Sequence, residues 1–566
     1  MTPQPLAQQK TDAMGSPARW RSLGIISAAL LIVIIDITVL HIAAPSIAED
    51  LKPSSTELLW IVDIYALVAA PLLLAAATLG DRFGRKRVLI VGLIIFTSAS
   101  AFAAFATNPE MLIAGRALQG VGGAMVMPNT MSIIRALFPD RRERVKAIGI
   151  WSAILAGGGA AGPLVGGFLV EHFWWGAVFL INVPILAVVL PFAILGLPEV
   201  KHSDPPPWDT VSVLAATLGV LLLAFGIKEG ARLGITDPKA FGTFLPSIVL
   251  LTLFVRRQIG NARPLLDVSL FRRPVFAVAV ATTLVALVAW VGLELFLAQY
   301  LQFVLGLGPS TASLWMLPSI VAMLVASLFV SPLLHALGSR VALAGGFGVF
   351  ALCLASLLLL DETPRFFLFA VPFVVLGVVV QIATVASNDA LMSSVSADDA
   401  GQVASIEATS YDLGGGIGVA ILGSLGAAIY TKSFEPSAGL TAGQAADSRE
   451  AASSAFDLAK DLPGAAGDAL FIATRDAWMS AFHVVIIAGI LLIVASTIAW
   501  LVVFVRTGDT TELVRAGSSP HSKRSEDADD FWSEDQHDSQ RRPAGAASHA
   551  MAPRVAARSG DAGGDG

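Results

Sequence analysis

Residues 22–44 read SLGIISAALLIVIIDITVLHIAA, a run in which Asp36 is the only carboxylate and no Lys or Arg occurs. About 20 apolar residues in a helix cover the ~30 Å hydrocarbon core of a bilayer, so this stretch fits one crossing with an acid set deep inside it. The same reading repeats along the chain, at 58–79, 88–106, 111–132, 147–170, 178–197, 210–227, 241–255, 275–300, 311–330, 341–360, 366–388, 401–430 and 477–505. With the first run these make fourteen predicted spans, of which 210–227 and 241–255 are the shortest.

Composition agrees. Of 566 residues, 55% are hydrophobic and 14% charged, where soluble domains carry roughly a quarter charged, and the mean hydropathy is +0.72. Few residues remain for soluble domains. The single cysteine, Cys353, lies inside an apolar run and excludes an intramolecular disulfide or a cysteine metal cluster. The net charge of -6 is spread without a long basic run, which argues against nucleic acid as a partner. Neither G-x-x-x-x-G-K-[ST] nor H-E-x-x-H occurs, so no Walker nucleotide site, cofactor or metal site is expected.

Cations fix the expected orientation. Arg82, Arg85, Lys86 and Arg87 follow the second span, Arg141, Arg142, Arg144 and Lys146 the fourth, and Arg256, Arg257, Arg263, Arg272 and Arg273 the eighth. The positive-inside rule places these loops, and with an even span count both termini, in the cytoplasm. The expected organisation is a cytoplasmic segment over 1–21, a first six-helix bundle over 22–197, two inserted helices with linkers over 198–273, and a second six-helix bundle over 274–505. An outside loop at 431–476 is expected to hold two short amphipathic helices, from Ser448 to Leu458 and from Ala465 towards Trp478. Residues 506–566, rich in Ser, Asp, Arg, Gly and Ala, describe a solvated tail.

A repeat supports two halves. ATLGDRFGRK at 77–86 and SPLLHALGSR at 331–340 place small, Leu, Gly and basic residues at matching positions after the second and tenth spans. Parallel repeats of this kind are known in transporters. Ionisable residues inside the predicted spans are few: Asp36, Asp63, Arg116, Glu294, Glu407 and Asp412. Each is expensive in a membrane, and so a functional candidate. Asp36 and Arg116 reach similar depth if spans one and four face each other, and the Arg would hold the carboxylate ionised until a proton or cation displaces it. Glu407 and Asp412 are five apart, about 140° around a helix, and so serve separate roles. Trp60, Asp63 and Tyr65 lie together, and Tyr411 adjoins Asp412; acid beside aromatic faces suits a lipophilic cation. GGAAGPLVGG at 158–167 spaces Gly158, Gly162 and Gly166 four apart with Pro163 among them, a packing seam between helices.

Three ordered motifs carry a resemblance. GDRFGRK resembles the loop signature of the major facilitator superfamily, GRALQG its span-four motif, and GxxxGPxxGG the span-five motif of its drug:proton antiporters. IDITVLHIAAP at 35–45, WIVDIYALV at 60–68, EHFWWGAVFLINVPI at 171–185, ELFLAQYLQFVLGL at 294–307 and IEATSYDLGGGIG at 406–418 are similar to the 14-span subgroup. The resemblance covers about 20–505. It implies an all-α integral membrane protein of two six-helix bundles plus two inserted helices, exporting quaternary ammonium cations, dyes and methyl viologen against protons. On that resemblance, proton coupling falls to Asp36, Arg116, Glu407 and Asp412. Substrate binding falls to Asp63, Trp60, Tyr65, Glu294 and Tyr411, and the conformational gate to Asp81, Arg82, Gly84, Arg85 and Lys86. The antiporter motif is Gly158, Gly162, Pro163, Gly166 and Gly167. Ala77 and His335 depart from the usual loop residues.

The expected molecule is therefore a monomeric multi-pass antiporter of the inner membrane, driven by the proton gradient, with small organic cations, protons and lipid as its partners. The alternatives are a proton-coupled exporter or importer of an endogenous metabolite, and a polytopic membrane enzyme or sensor. An anion carrier should show more buried Arg or Lys. An enzyme should show a clustered catalytic constellation, and the sequence shows none.

Overall fold

The computed structural model describes residues 16–201, 207–234, 237–261, 264–360, 363, 365–393, 400–437 and 440–507, and every regular element among them is helical. The first half comprises α1 (Ser16–Leu51), α2 (Ser55–Phe83), α3 (Arg85–Ala104), α4 (Pro109–Leu137), α5 (Arg141–His172) and α6 (Ala177–Gly196). Local chemistry sets the starts. Ser54 and Glu57 form a reciprocal capping box at the head of α2, and Asn108 caps α4 with Pro109 at its first position. Helical hydrogen bonding begins before the apolar run, so residues 16–21 of the expected N-terminal segment are the first turns of α1, and residues 1–15 lie outside the described residues.

Two further helices, α7 (Thr210–Leu233) and α8 (Pro238–Gly260), start at the N-caps Asp209 and Asp237 and pack on each other. The second half comprises α9 (Pro274–Gln299), α10 (Pro309–Leu357), α11 (Phe366–Ser393), α12 (Ala400–Gly418), α13 (Ser424–Ser433), α14 (Ala442–Glu450), α15 (Ala452–Asp461) and α16 (Ala465–Thr507). One π-turn, Tyr300–Val304, extends α9, and another, Val419–Gly423, joins α12 to α13.

Among the described residues, twelve helices are long and apolar enough to cross a membrane. The predicted spans at 111–132 and 341–360 lie in α4 and in the C-terminal part of α10, so fourteen crossings remain compatible. Large apolar side chains on α6, α8 and α11, such as Leu195, Phe241 and Phe367, are exposed, as helices facing lipid require.

Three expectations change. Helical hydrogen bonding continues through the second copy of the loop signature, 331–340, so both predicted spans belong to α10, with Pro332 inside it. Polar residues lowered the hydropathy there without ending the helix, and the side chains of 331, 335 and 337–344 lie outside the described residues. In the segment 431–476, expected outside, the two short helices are α14 and α15, while Ala465 to Trp478 is the first part of α16, where no breaker interrupts the chain. Of the tail, 508–566 lie outside the described residues.

Each half has its own apolar core. Phe296, Tyr300, Phe369, Trp478 and Phe482 anchor the second, while Phe96, Ile133, Phe138 and Leu186 lie in the first. Between the halves, α5 packs on α10 and α2 on α12, while α7 reaches both α2 and α13.

Candidate functional site

Midway along α1, Asp36 is fully buried and accepts three hydrogen bonds. Arg116 Nη1 of α4 donates to Oδ2 at 2.6 Å, while Gln119 Nε2 of α4 and Asn182 Nδ2 of α6 donate to Oδ1 at 2.9 and 2.6 Å. Ser100 Oγ of α3 accepts from both amides, at 2.8 and 3.2 Å. Arg116 and Gln119 are three apart, hence on one face of α4. The guanidinium sits 5.0 Å from the Tyr65 ring centroid and 5.8 Å from that of Phe179. Tyr65 of α2 comes this close because α4 carries glycines opposite it. A Cβ at Gly120 would lie 2.6 Å from the Tyr65 carbonyl oxygen, and one at Gly123 would strike its hydroxyl.

The structure thus brings Asp36 and Arg116 together and adds Gln119, Asn182 and Ser100, which the sequence reading missed. GRALQG contains Gln119 and NVPI contains Asn182, but uncharged polar residues do not announce themselves in a hydropathy profile. A buried ion pair is tolerable where dipoles meet its charge, and here Gln119 and Asn182, themselves held by Ser100, supply them on the carboxylate side, while Arg116 Nε has no hydrogen-bond partner.

Asp63 is also buried, but not in that network. Its partner is Lys228 of α7, whose Nζ lies 2.8 Å from Asp63 Oδ1 and 3.5 Å from the Trp60 ring centroid. Lys228 is missing from the sequence inventory of buried charges because the seventh span was expected to end at 227; the helix runs on to Leu233 and buries it. Trp60 and Asp63 therefore face an internal cation, whereas Tyr65 belongs with Arg116.

The remaining acids are dispersed. Glu407 of α12 is hydrogen-bonded to Asn388 of α11, and Tyr411 lies in its field. Asp412 lies within electrostatic range of Tyr65, as do Asp36 and Arg116, so this tyrosine stands between the first-half network and α12. Glu294 of α9 faces His41 of α1, with Oε2 and Nδ1 3.5 Å apart, at a contact between halves rather than beside Asp63.

At the α2–α3 junction Arg85 pairs with Asp81 and with Ser132 of α4. Gly84 has φ +106°, a conformation that favours glycine, and the space of a Cβ there is filled by the Glu199 carboxylate. Glu199 also accepts from Lys86 N at 3.1 Å, at the start of α3, and lies 3.6 Å from Arg87 Nε. It is a participant that the sequence did not reveal. Arg82 is exposed beside Phe83, and the Lys86 side chain is half-buried.

The glycine motif of α5 divides its contacts. Cβ atoms at Gly158, Gly162 and Gly166 would meet Ile34, Thr38 and Val39, all on α1. Gly167 instead backs onto α10, where a Cβ would lie 2.8 Å from the Pro309 carbonyl oxygen. Ser313 Oγ of α10 donates to the Pro163 carbonyl at 2.6 Å, and Ser310 N donates to Glu171 Oε2 at 3.0 Å. So the glycines chiefly close the first half on itself, and the end of the motif meets the second.

The family model of the Major Facilitator Superfamily matches residues 26–419. The multidrug efflux pump LfrA of Mycolicibacterium smegmatis is 38% identical over 488 residues, covering 85% of this chain and 96% of that protein. The methyl viologen resistance protein SmvA of Salmonella typhimurium is 37% identical over 483 residues, covering 85% and 98%. Among solved structures, a bacterial homologue of the lysosomal transporter Spinster, in an inward-facing and occupied conformation, shares the fold with a TM-score of 0.61 at 17% identity, covering 88% of this chain and 98% of that one. The chain belongs to the major facilitator superfamily, and is a multi-pass membrane transporter of small molecules rather than an enzyme.

Proposed function

We propose that this transporter exports lipophilic and quaternary ammonium cations in exchange for protons, as a monomer of the inner membrane with both termini in the cytoplasm. The names of LfrA and SmvA support the multidrug cargo. The observation that carries the proton reading is the Asp36–Arg116 pair, 2.6 Å apart and out of contact with solvent. A carboxylate held by one guanidinium and two amides has two balanced states. Ionised, it is neutralised by Arg116; protonated, it frees Arg116 to rest on the faces of Tyr65 and Phe179, where cation–π attraction compensates part of the loss. Tyr65 stands between this switch and Asp412 of α12, so a change of protonation in the first half alters the field felt in the second. Glu407 and Asp412 are the complementary acids on the second-half side, available to protons or to a second positive charge on the cargo. Export then follows by rocking of the halves around these groups.

The test is transport of methyl viologen and of a monovalent dye by the purified full-length protein in proteoliposomes. An imposed pH gradient should accelerate movement against the cation gradient. A rate equal to that at symmetric pH removes the proton reading and leaves facilitated efflux.

A further inference from the structure

Lys228 is 2% exposed and comes from α7, one of the two helices outside the six-helix halves. Its ammonium lies between a carboxylate and an indole face: 2.8 Å from Asp63 Oδ1 and 3.5 Å from the Trp60 ring centroid, with Phe225 a further 6.3 Å from that ring. The second carboxylate oxygen, Asp63 Oδ2, is buried without a hydrogen-bond partner. Anchoring α7 to α2 would need only the ion pair. Here the site has an aromatic face stacked on the cation and an acceptor left over, the furniture of an organic-cation site in which the chain's own amine is seated. Lysine also suits an occupant that must leave, being a point charge on a flexible stem, where arginine would lock Asp63 with a two-pronged grip.

We propose that Asp63 and Trp60 form a cation-binding site in which Lys228 is a tethered, displaceable occupant, so that a transported organic cation enters by exchanging with the lysine ammonium. The inserted helices then set affinity: α7 holds a competitor of fixed strength over the site, and a cargo binds only if its own charge and aromatic contact outbid it. Exchange also conserves charge, since Asp63 is neutralised before and after. This inference rests on the organic-cation reading above.

Binding of tetraphenylphosphonium to the full-length protein in nanodiscs tests it. Replacing Lys228→Met removes the competitor while keeping stem length, and should tighten binding by about tenfold, ~1.4 kcal/mol. Adding Asp63→Asn or Trp60→Ala to Lys228→Met should abolish that gain. Unchanged or weaker binding in folded Lys228→Met protein overturns the proposal and returns Lys228 to an anchor. The native protein gives a second measurement that needs no variant. Labelling of Lys228 by an amine-reactive reagent, read by mass spectrometry, should rise severalfold when tetraphenylphosphonium saturates the protein, and protection that persists with the cation bound also overturns it. Failure of the native protein and all variants to bind tetraphenylphosphonium or methyl viologen would instead sink the organic-cation reading itself, and this proposal with it.

Discussion

Ser313 donates its hydroxyl hydrogen to the backbone carbonyl of Pro163 at 2.6 Å, a bond from the second half of the molecule into a proline-containing helix of the first, shared with the Pro309 carbonyl of its own helix at 2.8 Å. The bond falls where the α5 motif has no bulk, beside Gly167 and the Pro309 carbonyl, so the two backbones meet nearly without intervening side chains. One helical turn away, Glu171 receives Ser310 N and closes the start of α10. These contacts hold the halves together at one end of α5 and define the conformer observed. Alternating access requires them to break.

Replacing Ser313→Ala should therefore shift the balance of conformers. One hydrogen bond is worth about 1 kcal/mol net, a shift of roughly fivefold, towards the state in which α5 and α10 part. Distance measurements between spin labels on 172 and 308 would show the longer distance gaining population. An unchanged distribution would mean that the bond is incidental to the cycle.

The glycine seam makes a sharper demand because the same helix supplies its control. Gly162→Val places a methyl-bearing carbon against Thr38 and the Ile35 carbonyl, whereas Gly159 has nothing within 4 Å of its Cβ position. Overpacking of this kind costs about 1–3 kcal/mol. Gly162→Val should lose thermal stability and efflux together, and Gly159→Ala should lose neither. Melting curves and dye export at matched expression would decide.

Much of this was legible in the sequence. The acid in the first span, the arginine of GRALQG and the small-residue seam of 158–167 are rare events in apolar surroundings, and rarity is what sequence reading detects. Gln119, Asn182 and Ser100 were not legible because a neutral amide or hydroxyl in a span is cheap and common; only the tertiary arrangement turns them on Asp36. Lys228 was missed for a different reason, an end-of-span boundary one residue too early, which turned a buried cation into an apparent interfacial one. His41 was not among the candidates, though it faces Glu294 across the halves. Continuity of α10 through 331–340 could not be read at all, since hydropathy reports where polarity rises and not where backbone hydrogen bonds end.

Neutralising Asp36 separates a structural from a functional role. Asp36→Asn strands Arg116 in the interior, and an uncompensated buried charge costs about 3–5 kcal/mol. The variant should melt lower and lose uphill export. Pairing it with Arg116→Gln removes the stranded charge, so stability should recover while gradient-driven export does not. Recovery of export in the double variant would show that the pair serves only the fold.

At the start of α7, Asp209 supplies the N-cap through Ser212 and is held by Arg257 of α8 at 2.9 Å. Burial alone would raise its carboxyl, but bonds from Ser212 and Arg257 outweigh this and hold it below the usual carboxylate range. A group depressed in the folded state stabilises above its unfolded pKa, about 3.9, and loses that contribution only as pH falls through the lower folded value. The α7–α8 junction should thus resist acidification to about pH 4, while Asp209→Asn loosens it at neutral pH. Hydrogen exchange over 209–215 is the measurement, and equal protection in the two proteins would discount the cap.

The motif at the α2–α3 junction separates rate from affinity. Asp81 pairs with Arg85, which also holds Ser132, and Glu199 sits over Gly84 and the start of α3. Among the described residues, the hydrogen bonds and ion pairs of Asp81, Arg85 and Glu199 do not reach the Asp36 network or the Lys228 site, so their influence on cargo must pass through the motion of α2 and α3. Asp81→Asn keeps the shape but removes the charge that fixes Arg85, and should slow turnover severalfold while the dissociation constant for cargo stays within about twofold, since ground-state contacts are preserved. Glu199→Ala should act in the same direction, because it removes both the acceptor for Lys86 N and the carboxylate that favours a helix start. Rates and dissociation constants measured on the same proteoliposome preparations decide. A changed dissociation constant at unchanged turnover would place Asp81 with the cargo contacts instead of the gate.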